Sequence, residues 1–296
     1  MQKAQFYETI ANSMRTFLGF DVGGTKTAWG LVDEEGVLIE SGRYPTPTVR
    51  SDFIDMAAKL ALQHTPRAIG IGIAGTLSRD KKSTLLCTNL PSFSKWTIVS
   101  DMAEATSLPV TVDNDARCAL IGEVWKGSAH EMTSAVFITV GTGVGGAVMQ
   151  KGRILPHPQD IGREISRIVA DPTDVFPSKS GRGTIESLIG GLNLERRLDI
   201  SLKEIATAVR QGDEEAIEIW KEISHFFIIC LKAIHIEYSC KNIIVGGVGS
   251  HDLKYYLQDP PPCPTIVATL GENAALYGTA RLAMDLYDDV TSTNWD

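Results

Sequence analysis

Two glycine-rich reversals, each set between short apolar runs, constrain this chain more than any other feature. The first is Asp21-Val22-Gly23-Gly24-Thr25-Lys26-Thr27, between Phe17–Phe20 and Ala28–Val32. The second is Gly141-Thr142-Gly143-Val144-Gly145-Gly146, between Ala135–Val140 and Gly146–Met149. The flanking runs are short, rich in Val and Ile, and bounded by Gly or Asp, as strands are. A strand, a glycine turn and a second strand, met twice, predict two related α/β lobes facing one ligand. Further strand-like runs are Ala68–Ile73, Val110–Val112 and Asn242–Val245. Helices fall between them. Over Glu214–Tyr238, residues Ile219, Ile223, Phe226, Phe227, Cys230, Leu231 and Ile234 recur at helical spacing, and Ser201 with Glu204 has the spacing of a capping box. The first domain is expected over 1–115 and the second over 116–272, with a last helix near 273–296 packing back on the first.

Both reversals suit phosphate. In the first, Gly23 and Gly24 let the backbone turn sharply and present N–H groups where side chains would block a ligand. Thr25, Lys26 and Thr27 add donors, and Asp21 is placed to hold Mg²⁺ through water. The same residues also make an ordinary glycine hairpin with a solvated lysine. The second reversal contains G-x-G-x-x-G, but a dinucleotide fingerprint opens a helix. Here Ala147-Val148-Met149 continues as a strand, so Gly141, Thr142, Gly143 and Gly145 read as a phosphate turn. A third turn, Gly246-Gly247-Val248-Gly249, suits an adenosine or is a plain strand-to-helix turn. Neither a Walker A sequence nor a protein-kinase motif set is present. The nucleotide reading rests on the three turns together.

Composition narrows the partners. A chain of 296 residues suffices for two cores, and its net charge of −8 argues against nucleic acid or an anionic membrane as main partner. No apolar run is long enough to span a bilayer, and MQKAQFYETIANSMRTF lacks the apolar stretch of a signal peptide. The 5 cysteines are odd in number, dispersed and without a C-x-x-C pair. They read as reduced cytosolic thiols, neither a disulfide frame nor a zinc site.

The landmarks GFDVGGTKTAWGLVD, GIGIAGTL (Gly70–Leu77), TNLPSFSKW (Thr88–Trp96), VDNDARCALIGE (Val112–Glu123), FITVGTGVGGAVMQKGRI, IIVGGVG and NAALYGTARLA follow one another in the order of the ROK family. The chain resembles that family, the bacterial sugar kinases and repressors of the actin–hexokinase–Hsp70 superfamily, from about Phe17 to Ala283. FITVGTGVGG, Pro45–Pro47 and Ala170–Pro172 are most similar to bacterial N-acetylmannosamine kinases. The resemblance implies a two-domain actin-like ATPase (ribonuclease H-like) fold with an interdomain cleft, a homodimer, and ATP with Mg²⁺ as reactants. It implies that Asn114 orients a sugar hydroxyl, that Asp115 is the catalytic base projecting into the cleft, and that Gly75 and Asn89 help bind the sugar. The chemistry fits, since phosphoryl transfer to an alcohol needs an aligned hydroxyl and a group to take its proton. An isolated Asn-Asp ahead of Ala116 is equally a helix N-cap.

One departure is coherent. The family carries Glu-x-Gly-His followed by C-x-C-G-x-x-G-C-x-E, whose histidine and three cysteines hold a structural zinc. Ungapped, those ligands fall on Arg167, Pro177, Lys179 and Thr184, none a plausible zinc ligand, so no structural zinc is expected. Glu164 and Glu186, the sugar-contacting carboxylates of the resemblance, remain. Arg167 then bridges one of them or donates to the sugar, or else is simply solvated in a site that has drifted. His157, in Pro156-His157-Pro158, reads as a surface-turn residue. The expected activity is ATP-dependent phosphorylation of a hexose or N-acetylhexosamine at its 6-hydroxyl, with N-acetylmannosamine, glucose, mannose and allose as candidates. The alternatives are a catalytically silent sugar-binding protein and a sugar-responsive regulator, for which 20 residues ahead of Asp21 are too few to hold a helix-turn-helix domain.

Overall fold

The computed structural model describes residues 14–155, 165–247 and 257–292. Glu164, His157, Val248 and Gly249 lie outside them. The chain divides into two compact units, with breaks after Lys126 and before Asn273.

The first unit is built on a sheet of five strands: β1 (Thr16–Val22), β2 (Lys26–Asp33), β3 (Leu38–Pro45), β4 (Ala68–Ile73) and β7 (Val110–Asn114), in the order β3-β2-β1-β4-β7. β1 pairs antiparallel with β2 and parallel with β4, which pairs parallel with β7. β4 is buried throughout and carries the period-free apolar run of a parallel strand covered on both faces. β3 is an edge strand, mostly exposed, which is why its sequence LIESGRYP lacks an apolar pattern. A two-stranded ribbon, β5 (Thr76–Leu77) with β6 (Thr84–Leu86), lies in the chain between α1 (Arg50–His64) and α2 (Ile98–Thr106), and Phe53, Phe93 and Trp96 form an aromatic core here.

In the second unit β8 (Ala135–Val140), β9 (Val144–Gln150), β10 (Arg153–Ile154), β11 (Ile243–Gly247) and β12 (Thr265–Val267) form a sheet ordered β10-β9-β8-β11-β12. The helices α4 (Ile185–Ile189), α5 (Gly191–Leu198), α6 (Leu202–Arg210) and α7 (Glu214–Tyr238) belong to this unit. The capping box of α6 is present, with Ser201 accepting from Glu204 N and Glu204 from Ser201 N. α7 starts where Asp213 accepts from Ala216 N at 2.8 Å, and it buries the stripe Ala216, Trp220, Ile223, Phe227, Leu231 and Ile234. Each large apolar side chain there is worth roughly 1.5–3 kcal/mol.

Two helices close the first unit. α3 (Asp115–Lys126) and α8 (Ala274–Ser292) pack on each other, and α8 also covers β1 and β4. A Cβ on Gly278 would stand 1.7 Å from Cys118 O, and one on Gly122 would stand 2.1 Å from Ala274 O. The helices therefore approach backbone to backbone, a distance only glycine permits. α3 consequently sits with the first unit rather than with the second, where a division at residue 115 had placed it. Among the described residues no helix is long and apolar enough to cross a membrane.

Candidate active site

In the first unit the resemblance-based residues converge. β1 ends on Asp21 and Val22, and the turn Gly23–Thr25 is closed by Gly23 N donating to Lys26 O at 3.1 Å. Thr46 braces it, its N donating to Thr25 O at 3.1 Å and its hydroxyl to Gly23 O at 2.7 Å. Gly24 lies against Asn89, whose Cβ would be 2.8 Å from a Cβ at position 24. Thr25 and Lys26 are exposed. Thr27 is not; it is buried in β2, its hydroxyl 3.1 Å from Thr46 Oγ1.

β7 delivers Asn114 and Asp115 to the start of α3. The carboxamide oxygen of Asn114 accepts from Ala116 N at 3.1 Å and Arg117 N at 3.3 Å, so it is the helix cap. Its Nδ2 makes a long 3.5 Å contact to Gly75 O. Asp115 Oδ1 accepts from Ala116 N at 2.9 Å. Asp115 stands close enough to Asp21 to act on it. Burial first, and then the Asp115 charge, push the Asp21 carboxyl up to about 7, against the pull of Lys26 and Arg43. Two carboxylates thus share one corner next to a glycine turn, with Lys26 and Arg43 within electrostatic reach of Asp21.

Asp113 was not singled out from sequence, yet it anchors this corner. It is 1% exposed, and its Oδ1 accepts from Asn114 N at 2.8 Å and Arg117 Nε at 2.9 Å. Its Oδ2 accepts from Lys81 Nζ at 2.6 Å. Burial alone would raise its carboxyl, but Arg117 and Lys81 hold it below the usual carboxylate range. The spacing of Asp113 and Arg117, four apart across a strand-to-helix junction, was the available signal.

The second unit arranges backbone rather than charge. β8 and β9 pair antiparallel around Gly141–Gly143, closed by Gly141 N donating to Gly143 O at 2.9 Å. The first amides of α5 hold the turn from behind: Gly191 N donates to Gly141 O at 2.8 Å and Leu192 N to Thr142 O at 2.9 Å. Glu186, in α4, accepts from Val144 N at 3.2 Å, and its Oε2 would be 2.8 Å from a Cβ on Gly143. Gly145 lies within β9, opposite Thr139. Gly246 is buried inside β11 rather than in a turn, against the Phe137 ring. Gly247 is exposed with φ 76°, and a Cβ there would meet Val140 O at 2.4 Å.

A ROK family profile matches residues 17–285 of the chain. The chain belongs to the ROK family. The glucokinase of Streptomyces coelicolor is 27% identical over 310 aligned residues, spanning 90% of this chain and 97% of that protein. The N-acetylmannosamine kinase of Shigella boydii is 28% identical over 286, spanning 90% and 98%. The crystal structure of a ROK family glucokinase from Streptomyces griseus in complex with glucose and AMPPNP superposes with a TM-score of 0.77 at 24% identity, covering 91% of this chain and 99% of that one. The fold of this ROK protein is accordingly the expected actin-like ATPase fold.

At the positions to which the ungapped resemblance assigns zinc ligands, hydroxyls and an ion pair organise the segment. Thr184 caps α4, accepting from Ser187 N at 3.2 Å, and stands 3.0 Å from Ser180 Oγ, itself 2.9 Å from Ser178 Oγ. Asp174 gathers the loop: it accepts from Arg197 Nη2 at 2.6 Å, Gly183 N at 3.2 Å and Phe176 N at 3.2 Å. The Arg197 guanidinium also lies 4.3 Å over the Phe176 ring. Arg and Lys cations, a proline and a hydroxyl already engaged do not fit zinc at that place. Arg167 is exposed, and among the described residues no ion pair joins it to Glu186. Sequence reading found neither Asp174 nor Arg197.

Proposed function

We propose that this ROK protein is an ATP-dependent kinase that transfers the γ-phosphate to the 6-hydroxyl of a hexose or N-acetylhexosamine. The observation that carries the reading is the placement of Asp115. It opens α3 directly after β7, next to Asn114, near the Gly23–Gly24 turn and within electrostatic reach of Asp21. The sugar hydroxyl attacks phosphorus, its proton passes to Asp115, and ADP leaves. Asn114 and Asn89 orient the sugar, with Gly75 leaving room for it, and the resemblance adds Glu186 and Glu164 as sugar contacts. The glycine turns receive the phosphates, and the exposed Gly247 at the end of β11 the adenosine.

Asp21 is the residue suited to Mg²⁺, through water. Bound with the nucleotide, the ion neutralises charge on the phosphates, and the carboxylate-rich corner by Asp115 is a reason for a cation there. Relatives that are glucokinases and N-acetylmannosamine kinases support the reaction class without choosing the sugar.

The test is ADP release with Mg²⁺ and ATP across N-acetylmannosamine, N-acetylglucosamine, glucose, mannose and allose. Turnover with one of them supports the reading. Folded protein that binds a sugar but releases no ADP would instead make it a silent sugar-binding member, which the exposed Arg167 in place of the family's histidine would favour.

A further inference from the structure

We propose that His235, Cys240 and Cys263 form a binding site for one zinc ion in the second unit, at the opposite end of β11 from its glycine turn. Among the described residues these three are the one group of three metal-ligating side chains whose atoms converge: a ring nitrogen of His235 and the two Sγ atoms lie within 4.8 Å of one another. Around tetrahedral zinc, sulfur and nitrogen ligands stand roughly 3.5–3.8 Å apart. A small adjustment of side chains closes the set.

Each ligand comes from backbone fixed for its own reasons. His235 is in the last turn of α7, where the cap residue Ser239 donates its N–H to His235 O at 2.8 Å. Cys240 is buried between α7 and β11. Cys263 precedes β12, held where Ile243 N donates to Pro264 O at 2.9 Å and Thr265 Oγ1 to Cys263 O at 3.1 Å. The imidazole Nδ1 is 3.0 Å from Cys240 O. An imidazole that donates one N–H to a backbone carbonyl is oriented as metal-binding histidines usually are, with its electron pair on the other nitrogen.

One imidazole and two thiols select a borderline-soft cation over Mg²⁺ or Ca²⁺. The two thiol protons leave as the ion enters, so zinc with two thiolates is neutral. His235 and Cys263 are half-buried, which leaves a fourth position within reach of water. β11 has 5 residues, so the site lies about 16 Å along the sheet from Gly247. It would tie the end of α7 to the edge strand β12, away from the phosphate turns, using none of the four positions at which the family holds zinc.

The full chain, reduced and stripped with a chelator, is titrated with Co²⁺ and then Zn²⁺. One Co²⁺ per chain with sulfur-to-cobalt absorption, displaced by Zn²⁺, is expected. The absorption should vanish in Cys240→Ala and Cys263→Ala, and His235→Ala should bind about tenfold or more weakly. In the wild type, where no variant can misfold, Zn²⁺ should slow alkylation of Cys263 while the chain stays folded. Absence of absorption in reduced, folded protein, its persistence in Cys263→Ala, or a Cys240–Cys263 disulfide that forms equally fast with Zn²⁺ present would each overturn the site.

Discussion

The two units share one strand plan and differ in what surrounds their glycine turns. In each, an antiparallel meander of three strands is followed by two parallel strands, β3-β2-β1-β4-β7 in one and β10-β9-β8-β11-β12 in the other. The first strand of each meander ends at a glycine turn, one residue after Asp21-Val22 in β1 and Thr139-Val140 in β8. Asp21 lies opposite Gly72 of β4, and Thr139 lies opposite Gly246 of β11. Where one unit sets a carboxylate, its counterpart sets a hydroxyl. The first unit adds Asp113 and Asp115 at the end of β7, while the second braces its turn with α5 amides and Glu186. The strand frame is thus common to both units, while the turn of the first is bordered by Asp21 and that of the second by backbone amides and Glu186.

If that division is right, Asp115→Asn has the largest effect on turnover. We expect kcat to fall about 10²–10⁴-fold with sugar affinity retained, measured by ADP release and calorimetry. Next comes Asp113→Ala, which removes a buried carboxylate held by both Arg117 and Lys81 and should cost about 3–5 kcal/mol in urea unfolding. Gly278→Val forces a side chain toward Cys118 O and should cost about 1–3 kcal/mol or more. Asp21 adds an effect of pH. Its folded pKa, about 7, lies above the unfolded value of 3.8, so the native state holds a proton that the unfolded chain has lost. Stability should therefore fall as pH rises from about 4 to about 7. Asp21→Asn should flatten that slope and Asp115→Asn should narrow its window, both read from urea unfolding at a series of pH values. At the second turn, Gly141→Ala meets nothing within 4 Å and should shift stability by about 0.5 kcal/mol or less, a thermal melt being sufficient to check it. Equal sensitivity of the two turns would break the comparison.

Local signals carried much of this architecture. The strands beside both glycine turns, the full length of α7 and the capping box at Ser201 were readable because apolar spacing and short-range hydrogen bonds set them. Edge strands β3 and β12 were not, since an exposed edge needs no apolar alternation. Asn114 and Asp115 were singled out through resemblance, and the helix-cap reading of the Asn-Asp pair holds for Asn114. The supports were not legible: Lys81 reaches Asp113 from 32 positions away, and Arg197 reaches Asp174 from 23. Contacts between distant segments leave no periodicity in a sequence. For the same reason, two of five seemingly scattered cysteines come together beside His235.

The return of α8 to the first unit has a consequence for how the chain is made. Synthesis runs from the N-terminus, and domains generally fold as they emerge. Here the sheet of the first unit leaves the ribosome early but waits for Ala274–Ser292 to cover β1, β4 and α3. The intervening unit has its whole core in hand sooner. The unit carrying Asp21 and Asp115 is thus the later of the two to have its whole core, because α8 follows the intervening unit in the chain.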